Sequence, residues 1–235
     1  MVKPIVLAMT GASGAIYAVR LLKLLLAAGR EVHFTLSPAA QAVIQQELGV
    51  TLDLRKLDLQ VLLQDSFPKL STLKLRNIDQ VMPVEQVVRA DQVVATSSRA
   101  PGHVVYHHYQ DYMTPIASGS FLTEGMVISP CSGSTLSGVV HASSNNLIQR
   151  AADVHLKERR KLILMTRETP LSTLQLENMA RVSQAGATVL PASPGWYHTV
   201  NGLEDLVDFV VARILDHLGV EHRLMQRWGQ PSDER

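Results

Sequence analysis

Apolar and polar positions alternate along this chain in two rhythms, one short and unbroken, the other with a helical period. Ile5 to Met9 is a short apolar run that stops at Thr-Gly-Ala-Ser-Gly, which predicts a buried strand entering a glycine turn. Ala15 to Ala28 then reads as a helix stopped by Gly29. Val32 to Leu36 reads as a second strand, and Ser37-Pro38 opens a second helix to about Leu48. Strand, turn, helix and strand of these lengths make a βαβ unit with a right-handed crossover.

From Thr51 to Tyr112 no period holds, and irregular structure with a helix or two is expected. Order returns at Met126 to Ser129, a strand, followed by Pro130 and the small-residue turn Cys131-Ser132-Gly133-Ser134. Lys161 to Met165 is another strand, Thr173 to Ala185 a helix and Thr188 to Leu190 a strand. Leu203 to Leu218 is the clearest helix, with apolar residues at 203, 206, 207, 210, 211, 214, 215 and 218, and Gly219 ends it. The closing residues 229–235 read as a frayed, flexible tail.

Strands alternating with helices predict an α/β fold: a mostly parallel sheet with helices on both faces, organised as a single domain over residues 1–235. In such sheets ligands sit outside the carboxyl ends of the strands. The turns at Gly11 and Cys131 both follow strands, so both are expected to face that crevice.

Composition narrows the partners. With 22 Lys plus Arg against 21 Asp plus Glu, the net charge is +1, which gives no reason to expect nucleic acid or an acidic membrane. Aromatic residues are 5% of the chain, too few for a base-stacking surface. One cysteine, Cys131, excludes an internal disulfide and fits a cytoplasmic setting. No apolar run is long enough for a membrane helix, and the start of the chain does not read as a signal peptide.

Candidate chemistry clusters at the turns. Gly11-Ala12-Ser13-Gly14 opens a helix, where backbone N–H groups and the helix dipole can seat a phosphate, although the same residues suit an ordinary tight turn. The dinucleotide fingerprint is absent, since position 9 is Met, and the second strand ends in Leu36-Ser37 without the acidic residue a ribose would need, so a mononucleotide fits better than NAD. Ser132, Ser134 and Thr135 put hydroxyls in the second turn, as helix caps or as ligands. Nothing near Cys131 marks a base that would make it a nucleophile. Ser118-Gly119-Ser120 is a loop able to close on a planar ring.

The stretch from Arg150 to Leu171 divides by its charges. Glu158, Arg159 and Arg160 are expected to stay with solvent or a neighbouring subunit. Arg150 and Lys157 are seven apart and share a face if the segment is helical. Arg167-Glu168 ends an apolar strand, where an Arg can fork two hydrogen bonds to a phosphate. Tyr197 lies in a proline-glycine loop, and Arg213, at the edge of the last helix's apolar stripe, is either a snorkelling side chain or a second anion clamp.

In this order, MTGASGAIYAVRLL, ASGS, MVISPCSGSTLSG, NNLIQRAADVHLKERRKLIL, RETPLSTLQLENM, GATVLPASPGWYH, DLVDFVVARILD and RWG resemble the flavin prenyltransferase family, the UbiX family once called aromatic-acid decarboxylases. The region bracketed is about three quarters of the chain; residues 56–109 depart from it, being longer than the family usually has and without a recognisable motif. The resemblance implies a flavodoxin-like Rossmann homo-oligomer, usually a dodecamer built from trimers. It implies an enzyme that joins a dimethylallyl group, usually from dimethylallyl monophosphate, to N5 and C6 of reduced FMN. The product, prenylated FMN, passes to a UbiD-type decarboxylase, often in ubiquinone biosynthesis, and no metal is needed. Carried over by position, Gly11, Ala12, Ser13, Ser37, Ser132, Gly133, Ser134, Thr135 and Arg167 resemble the FMN site. Lys157, Glu168, Tyr197 and Arg213 resemble the dimethylallyl phosphate site, with Arg150 and Glu47 near it. Ser13 and Glu47 resemble proton-handling residues, Glu168 joins them in the catalytic set, and Trp228 matches a tail aromatic that covers the site.

Two other functions share such a fold. An FMN-dependent cysteine decarboxylase typically carries a Pro-x-Met-Asn segment late in the chain, where this sequence has LENMARVS. A non-catalytic FMN carrier would show the same flavin-facing turns. Fold alone does not choose among the three.

Overall fold

The computed structural model describes residues 2–63, 102–197, 200–225 and 227. Six parallel strands form one sheet: β1 (Ile5–Met9), β2 (Glu31–Leu36), β3 (His103–Tyr106), β4 (Gly125–Cys131), β5 (Lys161–Thr166) and β6 (Thr188–Pro191), in the order β3-β2-β1-β4-β5-β6. Without the edge strand β3 the remaining five follow the flavodoxin order, and the order reverses at β1. The crevice between the carboxyl ends of β1 and β4 is therefore the topological switch point.

β1 and β4 are buried over their whole length, as strands covered on both faces must be. Their side chains divide by pleat. Ile5, Leu7 and Met9 join one core cluster with residues of α1 (Ala15–Ala27), α2 (Pro38–Leu48), α3 (Leu59–Leu63) and α7 (Leu203–Leu218). Val6 and Ala8 join the other, with α4 (Gly133–Val140), α5 (Leu147–Lys157) and α6 (Thr173–Gln184).

Local chemistry sets the ends of these helices. Ser37 caps α2, its Oγ accepting from the Ala40 N–H at 3.1 Å, and Pro38 supplies a fixed φ at the first turn. Ser172 and Gln175 form a reciprocal capping box on α6. α7 buries Val207, Val210, Val211, Ile214, Leu215 and Leu218, each contributing roughly 1.5–3 kcal/mol of burial. The same helix is keyed to α1 by a buried fork: Arg20 Nε donates to Asp208 Oδ1 at 2.7 Å and Nη2 to Oδ2 at 2.8 Å.

Two elements depart from the pattern. β4 runs through Pro130 to Cys131, past the expected end at Ser129, because the ladder shifts register between Ile128 and Cys131 and so accommodates a residue with no N–H. In the aperiodic stretch, α3 and β3 are ordered, and β3 extends the sheet at its edge beside β2. The rest of that stretch, residues 64–101, lies outside the described residues, as do Trp228 and the tail at 229–235.

Candidate functional site

The turns after β1 and β4 are laced into one wall by Thr10. Its N–H and hydroxyl both donate to the Pro130 carbonyl, at 3.1 and 2.8 Å, and its Oγ1 accepts from the Ser132 N–H at 2.8 Å. Ser37 joins the same wall, its N–H donating to the Met9 carbonyl at 3.0 Å. Thr10 escaped the sequence reading; its only signal was a lone hydroxyl between an apolar strand and a glycine turn.

Gly11 and Ser13 are exposed at this edge, and Ala12 is buried. Gly14 holds φ +111 to start α1, a conformation that excludes most side chains. The Glu47 carboxylate lies across this helix start. It accepts from the Gly14 N–H at 3.0 Å to either oxygen and from the Ala15 N–H at 2.8 Å. Of the two readings open for this turn, this geometry favours the tight turn: a protein carboxylate already meets the donors and the positive dipole end that would attract a phosphate.

The start of α4 carries the hydroxyl cluster. Ser132 caps the helix through Thr135 N–H at 3.3 Å, and its Oγ lies 3.2 Å from Ser134 Oγ and 3.0 Å from Thr135 Oγ1. The Ser132 hydroxyl donates to Thr135 Oγ1, so the Thr135 hydroxyl keeps its own proton to donate. Beside them a small hollow is lined by Cys131, Gly133, Thr166, Arg167, Glu168 and Gln175. Arg167 Nε is buried there without a hydrogen-bond partner among the described residues. A buried guanidinium N–H with nothing to bond to is costly, which marks a place for an acceptor from outside the chain. Burial pushes the Cys131 thiol up to about 12, so it is a protonated wall residue at neutral pH.

Glu168 is exposed and accepts from Gln175 Nε2 at 3.4 Å, while Gln175 Oε1 accepts from Ser172 N–H at 2.9 Å. Gln175 is thus a helix cap that also touches Glu168, a link that sequence spacing did not show.

The cations of α5 are engaged with the ASGS loop. Arg150 Nε donates to the Ala117 carbonyl at 3.1 Å and Nη1 to Asp153 at 3.1 Å. Lys157 Nζ pairs with Glu158 at 2.7 Å. Arg160 is not a solvent side chain, as its place in the turn suggested: Nη1 donates to the Phe121 carbonyl at 2.7 Å and Nη2 to the Gly119 carbonyl. Arg150 and Arg160, at the two ends of this segment, strap residues 117–121 against α5. Glu158 and Arg159 are exposed, as expected.

Tyr197 and Arg213 belong to the other face. The Tyr197 ring meets Phe209 edge-on at 5.6 Å, and Phe209 lies one turn before Arg213 on α7. Arg213 Nη1 donates to Asp216 Oδ2 at 2.8 Å. Lys157 and Arg150 ride on α5, whereas Arg213 rides on α7. The whole sheet and both of its side-chain layers separate these helices, so one chain does not gather all the predicted donor-site cations into one place. Among the described residues no group of three His, Cys, Asp or Glu is placed to hold a metal ion.

Comparison with known proteins meets this geometry. The Flavoprotein family model matches residues 2–215. The flavin prenyltransferase UbiX of Pseudomonas aeruginosa is 44% identical over 226 residues, 96% of this chain and 94% of that protein. The crystal structure of AnUbiX (PadA1) in complex with FMN and dimethylallyl pyrophosphate superposes with a TM-score of 0.72 at 32% identity, covering 99% of this chain and 100% of that one. A dodecameric FMN-dependent UbiX-like decarboxylase from Escherichia coli O157:H7 gives 0.69 at 33% identity, over 97% and 100%. On both sequence and fold, this chain belongs to the flavin prenyltransferase (UbiX) family of flavoproteins.

Proposed function

We propose that this chain is a flavin prenyltransferase: it transfers the dimethylallyl group of dimethylallyl monophosphate to N5 and C6 of reduced FMN. The observation that carries the reading is the buried Nε of Arg167, which has no hydrogen-bond partner among the described residues, beside the hydroxyl turn 132–135 at the switch-point edge of the sheet. The identity to a flavin prenyltransferase favours this over cysteine decarboxylation or simple flavin carriage.

Reduced FMN brings the electron-rich ring, and the chain's residues do the rest. Gly11, Ala12, Ser13, Ser37, Ser132, Gly133, Ser134, Thr135 and Arg167 hold the flavin. Its phosphate suits the α4 start, because Glu47 occupies the α1 start. Lys157, Arg150, Tyr197 and Arg213 hold the donor phosphate and stabilise the charge it gains on leaving. Glu168, steadied by Gln175, orients within that set. Trp228, the tail aromatic that the resemblance implies for this site, lies outside the described residues. Ring closure joins C6 to one carbon of the prenyl double bond, the other carbon takes up a proton and C6 gives one up; Glu47 or the departed phosphate would accept the C6 proton, and Ser13 would join in the proton transfer. Holding prenyl chain and ring face to face supplies much of the rate.

Because α5 and α7 lie on opposite faces, the donor site is completed between copies in a homo-oligomer. We place the enzyme in the cytoplasm, handing prenylated FMN to a UbiD-type decarboxylase. Among the described residues no helix is long and apolar enough to cross a membrane. The test is incubation of the protein with FMN, a reductant and dimethylallyl monophosphate. Bound flavin heavier by one five-carbon unit is expected; flavin of unchanged mass overturns the reading.

A further inference from the structure

Phe209, Arg213 and Asp216 stand at i, i+4 and i+7 on α7 and so share one face of the helix. Tyr197 closes the upper end of that face through Phe209. At the lower end the Asp216 carboxylate collects four hydrogen bonds, one from its own helix and three from His222 and Arg227 beyond the helix end. Oδ2 accepts from Arg213 Nη1 at 2.8 Å and from Arg227 Nη1 at 3.4 Å. Oδ1 accepts from Arg227 Nη2 at 2.7 Å and from His222 Nε2 at 3.0 Å.

We propose that Arg227 is a second guanidinium of the donor-phosphate site, and that Asp216 is the positioning residue that sets it beside Arg213. The proposal rests on the reading that Arg213 meets the donor. Arg213 and Arg227 reach the same carboxylate oxygen, so their planar forks bound a common space. Both side chains are 48% exposed while Asp216 is 20% exposed, so the cations project outward from a carboxylate rooted beneath them.

His222 roots it further. Its side chain is 2% exposed, and its Nδ1 accepts from the Leu224 N–H at 3.4 Å, which leaves Nε2–H to donate to Asp216. Burial alone would raise the Asp216 pKa, but the bonds from Arg227 and His222 outweigh it and hold the carboxyl below its ordinary range. One anion thus faces two permanent cations, and a surplus positive charge remains on the face that Tyr197 closes. Each guanidinium carries five N–H donors, of which Asp216 engages one on Arg213 and two on Arg227, leaving donors in geometry suited to a phosphate oxygen.

The test uses full-length, FMN-loaded protein. Arg227→Ala is expected to raise KM for dimethylallyl monophosphate about tenfold with kcat within about twofold, the signature of lost phosphate binding. Inorganic phosphate and pyrophosphate, measured by calorimetry on the same protein, weaken in parallel, and FMN affinity stays within about twofold. Arg227→Lys falls between, since it keeps the charge and loses the fork. Asp216→Asn raises KM by itself, and adding Arg227→Ala to it costs less than about twofold more, because the two act as one unit. An unchanged KM in Arg227→Ala overturns the assignment of Arg227. Fully additive losses overturn the positioning role of Asp216. A wild-type protein that makes no prenylated flavin overturns the transferase reading instead, while the phosphate titrations still decide the part played by Arg227.

Discussion

The carboxylate of Glu47, near the end of α2, accepts hydrogen bonds from the backbone N–H of both Gly14 and Ala15 at the start of α1. One side chain thus caps a neighbouring helix, neutralises the positive end of its dipole and ties the glycine turn after β1 to α2. A residue proposed to handle a proton is also a structural brace.

The two roles predict different losses. Glu47→Ala removes the cap and is expected to cost about 1–2 kcal/mol, or roughly 3–6 °C in melting temperature for a chain of this size. Glu47→Gln keeps one acceptor oxygen and loses less stability, yet it cannot take the proton. A thermal melt of both variants beside a rate measurement separates brace from base. An unshifted melting temperature in Glu47→Ala sinks the brace, and native turnover in Glu47→Gln sinks the base.

At Gly11 the turn passes close against α2. A Cβ built there would lie 2.5 Å from Ala39 Cβ, on the first turn of α2, and that atom cannot swing aside. Gly11→Ala is therefore expected to push α2 away and destabilise the protein by about 1–3 kcal/mol. Ser37 and Glu47, both carried with α2, move too, so FMN affinity falls with stability. Gly202→Ala, whose added Cβ meets nothing within 4 Å among the described residues, is the milder control. Equal FMN affinity in the two variants would count against the coupling.

The sequence was most legible where one period ran uninterrupted. β1 appears as read, and α7 from Leu203 to Leu218 buries its predicted stripe apart from the half-exposed ends at Leu203 and Leu206. Pro130 misled, because a missing N–H argues for a strand end and a register shift is a tertiary matter. β3 was missed since His103, Val104, Val105 and Tyr106 form an edge strand with no fully buried residue, and half-buried edges carry no clear alternation. Site residues at turns were visible as residue types. Their partners were not: Glu47 reaches 33 residues back to Gly14, and Thr10 reaches 122 residues on to Ser132, distances that no local pattern encodes.

His155 makes stability fall in mild acid. Its side chain is buried; Nδ1–H donates to the Ala151 carbonyl at 2.7 Å, and Nε2 accepts from the Thr123 hydroxyl at 2.8 Å. Burial, aided by the nearby Arg160 charge and opposed by the Ala151 bond, lowers its pKa to about 4. Since the unfolded chain takes up this proton near pH 6.5, the stabilisation is complete above that pH and is lost as pH falls toward 4. His107, lowered by burial and by its neighbour His33, acts in the same direction. Denaturant midpoints should show the protein about 2 kcal/mol less stable at pH 5 than at pH 7.5 from His155 alone. His155→Gln should flatten that slope; a variant with the wild-type slope refutes the assignment.

The placement of Lys157 on α5 and Arg213 on α7, across the sheet from one another, makes the shared site directly testable. Lys157→Ala and Arg213→Ala are each expected to lose most turnover at low donor concentration, for want of a phosphate contact. Unfolded together and refolded at equal amounts, the two variants assemble at random. A site that takes α5 from one copy and α7 from another then finds both wild-type residues roughly one time in four. Mixed oligomers should therefore regain about a quarter of the wild-type rate, whereas either variant refolded alone regains none. If each site is built within one chain, no pairing ever unites Lys157 with Arg213, and the mixture stays as inactive as its parts.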